Sequence, residues 1–320
     1  MEIGMVDITA QYLTNLLFNG LLIGVIYALM ALGLTLIFSV LGIVSFAHGE
    51  FYMIGGYVVY FILASYTELN PYLAVLLAGL VTVIIGFIAE RLLLQPMARG
   101  EIERPSEYAI LVTFGLAFFL QFLMVAIVGP FPKKAPRFFD LPELDWGLLV
   151  SKASTLTIWG IPLSGSRLIA AVTALVLIGV TIYFMARTWL GRGLQAVSQD
   201  RQAAAVVGIN PLNMNTLAFG LGTMLAGMSG AVLVAVFAWV PWVGAAAASK
   251  SFVIIVLGGM GSMPGAIVGG IIIGLVESFA AGLTFPTDPG RALAYKDAFG
   301  LLIFALVLLI KPTGLFGREL

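Results

Sequence analysis

Long uncharged stretches alternate with short polar segments along this chain. Residues 12–45 carry no charge, and further apolar stretches run over 50–66, 72–94, 108–129, 167–187, 212–238, 250–259, 264–283 and 297–310. A helix needs ~20 apolar residues to cross a hydrocarbon core. The pattern predicts an all-α fold, a polytopic membrane helical bundle of roughly 8–10 transmembrane helices in a single domain over 1–320. Two places set the range. Residues 12–45 are too long for one upright helix at ~1.5 Å rise per residue and short for two with a loop. Either one tilted helix continues, or two short spans meet near Gly33. Residues 250–259 make a short or broken span.

Three polar segments punctuate the pattern: 95–107, 130–166 and 188–211. Two clear spans separate the first from the last, so these two share a face and 130–166 lies on the other. The middle segment contains Pro130, Pro132, Pro136 and Pro142, which discourage regular helix. It carries charges of both signs from Lys133 to Asp145, and its LTIWGIPLSGS run predicts a small hairpin. Lys and Arg divide evenly between the faces, with Lys250 assigned to the 130–166 side, so the positive-inside rule gives no orientation. Trp189 at one boundary and Trp239 and Trp242 at the other fit an interfacial belt.

Composition strengthens this picture and removes several function classes. The chain is 61% hydrophobic and 10% charged. A soluble domain carries about a quarter charged residues, so only a lipid-facing exterior accommodates this surface. The formal net charge is zero, which gives nucleic acid nothing to bind. There is no cysteine and one histidine, leaving no disulfide, no thiolate site and no His cluster for a metal. The first Lys or Arg is Arg91. The acidic N-terminus lacks the basic start of a secretory signal, so the first apolar stretch reads as a retained span. No phosphate-binding loop surrounds any lysine, so the chain is expected not to hydrolyse ATP, and no acid–base or metal constellation marks a catalytic site.

Three motifs carry chemistry. Ser45, His48, Gly49 and Glu50 interrupt apolar sequence in SFAHGEFYMIGGY. Ionisable groups at membrane depth are functional candidates, yet Glu50 just after Gly49 also suits the first turn of a new helix. Both the structural and the solute-contact reading stay open. In GGMGSMPGAIVGG, Gly258, Gly259, Gly261, Ser262 and Pro264 predict a helix break, with Ser262 as N-cap and Pro264 in the first turn. Gly261, Gly265 and Gly269 recur every four residues, a small-residue stripe that lets helices approach closely. Tight packing and a mid-membrane solute site on broken helices are the two readings here. Both regions are expected to be broken or re-entrant, and placing Gly55-Gly56 on Gly269-Gly270 suggests a weak internal repeat. In the third motif, GRGLQAVSQDRQAAAVVGIN, Ala-rich sequence after Asp200 predicts a short helix outside the membrane that ends near Gly208.

The three motifs, in this order, resemble the branched-chain amino acid ABC permease family, with most likeness to its H-type (LivH-like) subunit. The resemblance runs over nearly the whole chain and is least clear in 130–166. It implies a non-catalytic permease of a bacterial inner membrane importer with no cofactor of its own. ATP and Mg are then handled by two separate ABC ATPase subunits. A second permease is implied as a heterodimer partner, and an external solute-binding protein delivers the solute. It further implies that Arg201, Gln202, Ala203, Ala204 and Gly208 form the coupling helix that enters the ATPase, with Gln202 replacing the family's usual acid. That makes 188–211 cytoplasmic and 130–166 external, with both termini expected in the cytoplasm. Branched-chain or other amino acids are the implied solutes, with urea or short amides as alternatives. The other class is a self-sufficient secondary transporter or channel, for which Glu50, His48 and Glu277, the last placed near the outer end of its span, are the candidate charges.

Overall fold

The computed structural model describes residues 10–66, 69–135, 144–145, 149–152, 155–158, 161–284 and 289–317 of the chain. The uncharged, proline-free first stretch forms one continuous helix, α1, Ala10–Leu41, not two spans meeting near Gly33. It stops at Gly42, whose φ of 70° suits glycine alone without strain. An irregular link over 42–47 leads into α2, His48–Ser65. Next comes α3, Pro71–Ala89, with Pro at its first position and the Asn70 side chain accepting from the Tyr72 N–H at 2.9 Å, a proline start under an N-cap. It runs through a π turn, Glu90–Leu94, into α4, Gln95–Ala98. Another proline opens α5, Pro105–Val128.

Four short strands follow: β1, Leu144–Asp145; β2, Leu149–Lys152; β3, Thr155–Ile158; and β4, Ile161–Ser164. They pair antiparallel in chain order. The expected hairpin is β3–β4, with Thr157 opposite Pro162, and β1 and β2 extend it into a small sheet, a departure from an all-α chain. Most of the proline-rich stretch before β1 lies outside the described residues. The remaining helices are α6, Gly165–Arg187; α7, Trp189–Gln199; α8, Arg201–Val206; α9, Pro211–Leu233; α10, Val243–Gly258; α11, Met263–Thr284; and α12, Pro289–Ile310.

Among the described residues, six helical stretches are long and apolar enough to cross a membrane by themselves: α1, α3 continued to Ala98, α5, α6, α9 and α11. Two shorter apolar helical stretches, α10 and Ala298–Ile310 of α12, and the 18-residue α2 pack with them. The chain is a multi-pass membrane helical bundle. Its middle is α1 and α9, whose apolar windows are 72% and 83% buried, whereas those of α5 and α6 are 17% and 28% buried and form the outer layer.

Lipid tails are as apolar as leucine, so these helices are held by close packing and not by escape from water. Glycines supply it. A Cβ on Gly24 of α1 would meet the Ile271 Cα of α11 at 2.8 Å, and one on Gly20 would meet the Leu275 Cα at 2.9 Å. Gly33 faces the Gly222 backbone of α9, and Gly86 of α3 seats the Thr223 side chain.

The bundle has two ends. At the hairpin end, Arg167 of α6 donates to Asn19 of α1 at 3.0 Å, and the Tyr12 hydroxyl donates to the Gly282 carbonyl at 2.9 Å. At the opposite, loop end, Ser39 of α1 lies beside Gly261, and the tail returns over the end of α10, with Leu315 N–H donating to Leu257 O at 2.9 Å and Phe316 N–H to Gly258 O at 2.9 Å. Since α1 is unbroken, its N-terminal end and the C-terminal tail lie at opposite ends.

Candidate functional site

Two helices begin inside the bundle, not at its ends, and their first turns meet. The sequence SFAHGE sets the first. Ala47 is the N-cap and makes no side-chain cap bond. His48 is fully buried and its Nε2 lies 3.0 Å from the Met30 carbonyl, in the body of α1. That contact fixes the start of α2 well above the end of α1. The expected break near Ala47–Gly49 is thus present but lies just upstream, over 42–47, and the chain is regular helix from His48 on. The link is held from the side by Thr113 of α5, which accepts from the Phe46 N–H at 3.3 Å.

The second helix is α10. After α9 ends, residues 234–242 turn inward, and Trp239 is wholly buried, its Nε1–H donating to the Met53 carbonyl of α2 at 3.0 Å. Its backbone pairs with Lys133 beyond α5. Trp239 is therefore a packing anchor and not part of an interfacial belt, whereas Trp189 and Trp242 are exposed. The first turn of α10 then lies on the first turn of α2. A Cβ on Gly49 would run into the Gly244 backbone, and one on Gly244 would run into the Glu50 carboxylate. Glu50 is 2% exposed, and its Oε2 has no hydrogen-bond partner among the described residues; the same holds for Ser45 Oγ and His48 Nδ1. One carboxylate thus lies in the first turn of its own helix and against the first turn of another. Both helix N-termini carry positive partial charge and unsatisfied N–H groups.

From this geometry Glu50→Gln, which keeps the shape and removes the charge, is expected to weaken the α2–α10 junction by about 1–2 kcal/mol. The measurement is thermal unfolding of the purified protein in detergent beside the pH profile of uptake. Unchanged melting with an altered pH profile would move Glu50 from the junction to the transport path.

The other glycine motif lies at the far end of α10. Residues 259–262 leave the helix, with Gly259 at φ 101° and Gly261 at φ 83°. The Ser262 hydroxyl accepts from the Gly265 N–H at 3.2 Å and Pro264 sits in the first turn of α11, as the cap pattern predicts. Gly258 and Gly265 touch backbone to backbone, and Gly269 packs on the Ile254 carbonyl. The four-residue stripe works at Gly265 and Gly269, while Gly261 serves the turn. This break sits at the loop end beneath the tail and not at mid-depth. The two motifs are not brought together; α10 joins them, one at each of its ends. Gly55 and Gly56 face Gly227 and Trp239, and Gly270 faces Ala28, so each Gly-Gly pair admits close neighbours.

The third motif forms a compact unit at the loop end. Thr188 caps α7 by accepting from Gly191 N–H at 3.0 Å, and Asp200 caps α8 by accepting from Gln202 and Ala203 N–H at 2.8 and 2.9 Å. Gly208, at φ 90°, ends the turn, and Asn210 caps α9. Arg201 is tied to the Asn215 side chain at 2.6 Å and Ala204 is buried, whereas Gln202, Ala203 and Gly208 are exposed with Val206 and Val207.

Glu90 escapes the sequence reading, and so does the partner of Glu277. Glu90, in the π turn, accepts from the Thr216 hydroxyl of α9. Glu277 lies in the second half of α11, 1% exposed and paired with Lys250, and Lys250 lies within α10 and not in a loop. Each pairing joins residues far apart in the chain, and no local pattern announces them.

Comparison with known proteins fits this arrangement. The profile of the family described as "Branched-chain amino acid transport system / permease component" matches residues 16–310. The high-affinity branched-chain amino acid transport system permease protein BraD of Pseudomonas aeruginosa is 36% identical over 319 residues, 96% of each chain. The corresponding LivH of Escherichia coli K12 is 31% identical over 315 residues, again 96% of each. LivM of Salmonella typhimurium, another permease protein of such a system, is 27% identical over 78% of this chain and 60% of its own. No solved structure matches. A profile spanning nearly the whole bundle, with full-length relatives above 30% identity, establishes that this chain belongs to the branched-chain amino acid transport permease family, as an H-type, non-catalytic membrane subunit.

Proposed function

We propose that the chain is the translocation subunit of an ABC importer for branched-chain or other amino acids. Separate ATPase subunits drive it, a second permease pairs with it, and an external binding protein supplies the solute. The observation that carries this reading is the α7–α8 unit. It is capped at each helix start, braced on α9 through Arg201 and Asn215, and leaves Ala203, Val206 and Val207 uncovered beyond the membrane-crossing helices. A firmly held apolar knob in a polar region is suited to insertion into a partner's cleft. In this reading Arg201 and Ala204 hold the unit while Gln202, Ala203 and Gly208 face the ATPase. The loop end is then cytoplasmic together with the tail, and the hairpin end and the start of α1 are external. ATP and Mg belong to the partner subunits.

The test is reconstitution of the chain with a second permease, the ATPase subunits and the binding protein of its own system. Leucine, isoleucine or valine should stimulate ATP hydrolysis and ATP-dependent uptake, and urea or acetamide should not. Uptake by the chain alone, driven by an ion gradient without ATP, would replace this reading with a secondary transporter.

A further inference from the structure

A charged cluster lies outside every motif above. Lys250 of α10 places its Nζ 2.9 Å from Glu277 Oε1 and 3.2 Å from Oε2 on α11. It also donates to the Tyr27 hydroxyl of α1 at 2.9 Å, and that hydroxyl donates to Glu277 Oε2 at 3.0 Å. The ammonium lies 4.8 Å from the Tyr27 ring centre. Among the described residues, three helices thus meet at one acid, one base and one hydroxyl.

Charges in an apolar bundle are costly to keep, and those retained pair with one another or mark a solute path. A brace between helices needs no empty space beside it. This pair borders a cavity of about 240 Å³ that is open on one side, where Ala246, Ser249 and Leu301 are exposed, and the other walls include Val253 and Ile273. That volume is below the ~300–1,000 Å³ of sites for drug-sized ligands and suits one small solute. The lining offers a cation and an anion side by side against an aliphatic wall. These are the complements of an α-carboxylate, an α-ammonium and a branched side chain.

We propose that this cavity is a zwitterion site on the translocation path, with Lys250 taking the α-carboxylate, Glu277 taking the α-ammonium, and Ala246, Val253, Ile273 and Leu301 the aliphatic side chain. The proposal rests on the amino-acid permease reading above. On entry the solute exchanges the Lys250–Glu277 contact for two intermolecular ion pairs. On exit Lys250 and Glu277 close on each other again. A solute with only one of the two charges replaces the Lys250–Glu277 contact with a single intermolecular pair, and a neutral amide replaces it with none, so the site selects zwitterions.

The experiment uses the whole importer in proteoliposomes at saturating binding protein, with uptake normalised to assembled complex. Ala246→Phe fills the cavity without removing either charge. It should lower leucine uptake roughly tenfold while lowering alanine uptake less, since the loss is one of space. Lys250→Met and Glu277→Gln should each lower leucine uptake roughly tenfold or more and erode the preference for leucine over leucinamide. Wild-type leucine-to-alanine ratios in Ala246→Phe overturn the site, and this variant decides alone if the charge variants fail to assemble. Charge variants that assemble and keep both the rate and the leucinamide discrimination also overturn it. Absence of amino-acid uptake by the unaltered importer would instead overturn the permease reading.

Discussion

Gly49→Ala is expected to yield no stably folded permease, while Gly179→Ala in α6 is tolerated. The two changes are chemically identical and differ only in what the new methyl meets. At Gly49 it meets the Gly244 carbonyl and the Ala248 amide, all backbone, with the first turns of two helices on either side. Side chains relieve overpacking by changing rotamer at a cost of ~1–3 kcal/mol, but here nothing rotates away, so α2 and α10 must separate. At Gly179 nothing lies within 4 Å, and alanine gains up to about 1 kcal/mol in helix propensity. Yield of monodisperse protein and its melting temperature in detergent measure both. Wild-type melting of Gly49→Ala would show that the α2–α10 junction is not closed as described.

The second large effect is expected at the loop end. Val206→Asp should abolish solute-stimulated ATP hydrolysis and uptake while leaving the permease folded. Val206 is 88% exposed, so the bundle does not depend on it. If α8 enters an apolar cleft, the change loses about 1.5–3 kcal/mol of side-chain burial and adds a desolvated charge, which weakens docking tenfold or more. Pull-down of the ATPase with the membrane complex gives the affinity directly, and normal co-purification with normal uptake would remove α8 from the coupling surface.

What the sequence announced and what it concealed divide along physical lines. Segment length and apolarity are local properties, so the spans were legible, as were the turns written in Gly, Pro and capping residues: Ser262–Pro264, Asp200 before α8, Asn210-Pro211, and the Gly-Ile-Pro hairpin. The position of the first break was legible only approximately. Glycine and a polar residue mark a place where a helix can start, but His48 finding the Met30 carbonyl decides where it does. Trp239 resembles any interfacial tryptophan until Met53 is seen to accept its N–H. Lys250 and Glu277 stand 27 positions apart and Tyr27 more than two hundred further away, so only the folded bundle reveals them as one cluster. The continuity of α1 depended on a choice that composition left even.

The π turn at Glu90–Leu94 acts as a phase shifter. An α-helix advances ~100° per residue, and a π turn inserts one residue with little added advance. Side chains beyond it are therefore rotated relative to the face they would occupy on an uninterrupted helix. Before the turn, α3 keeps Gly79, Thr82 and Gly86 in line against α9, and Glu90, at the start of the turn, continues that line. Within it, the Leu93 carbonyl turns toward α5 and accepts from the Tyr108 hydroxyl at 3.0 Å. One continuous rod thereby addresses two neighbours in two registers, and the elbow that leads to α5 is aimed independently of the packing that locks α3 to the centre of the bundle.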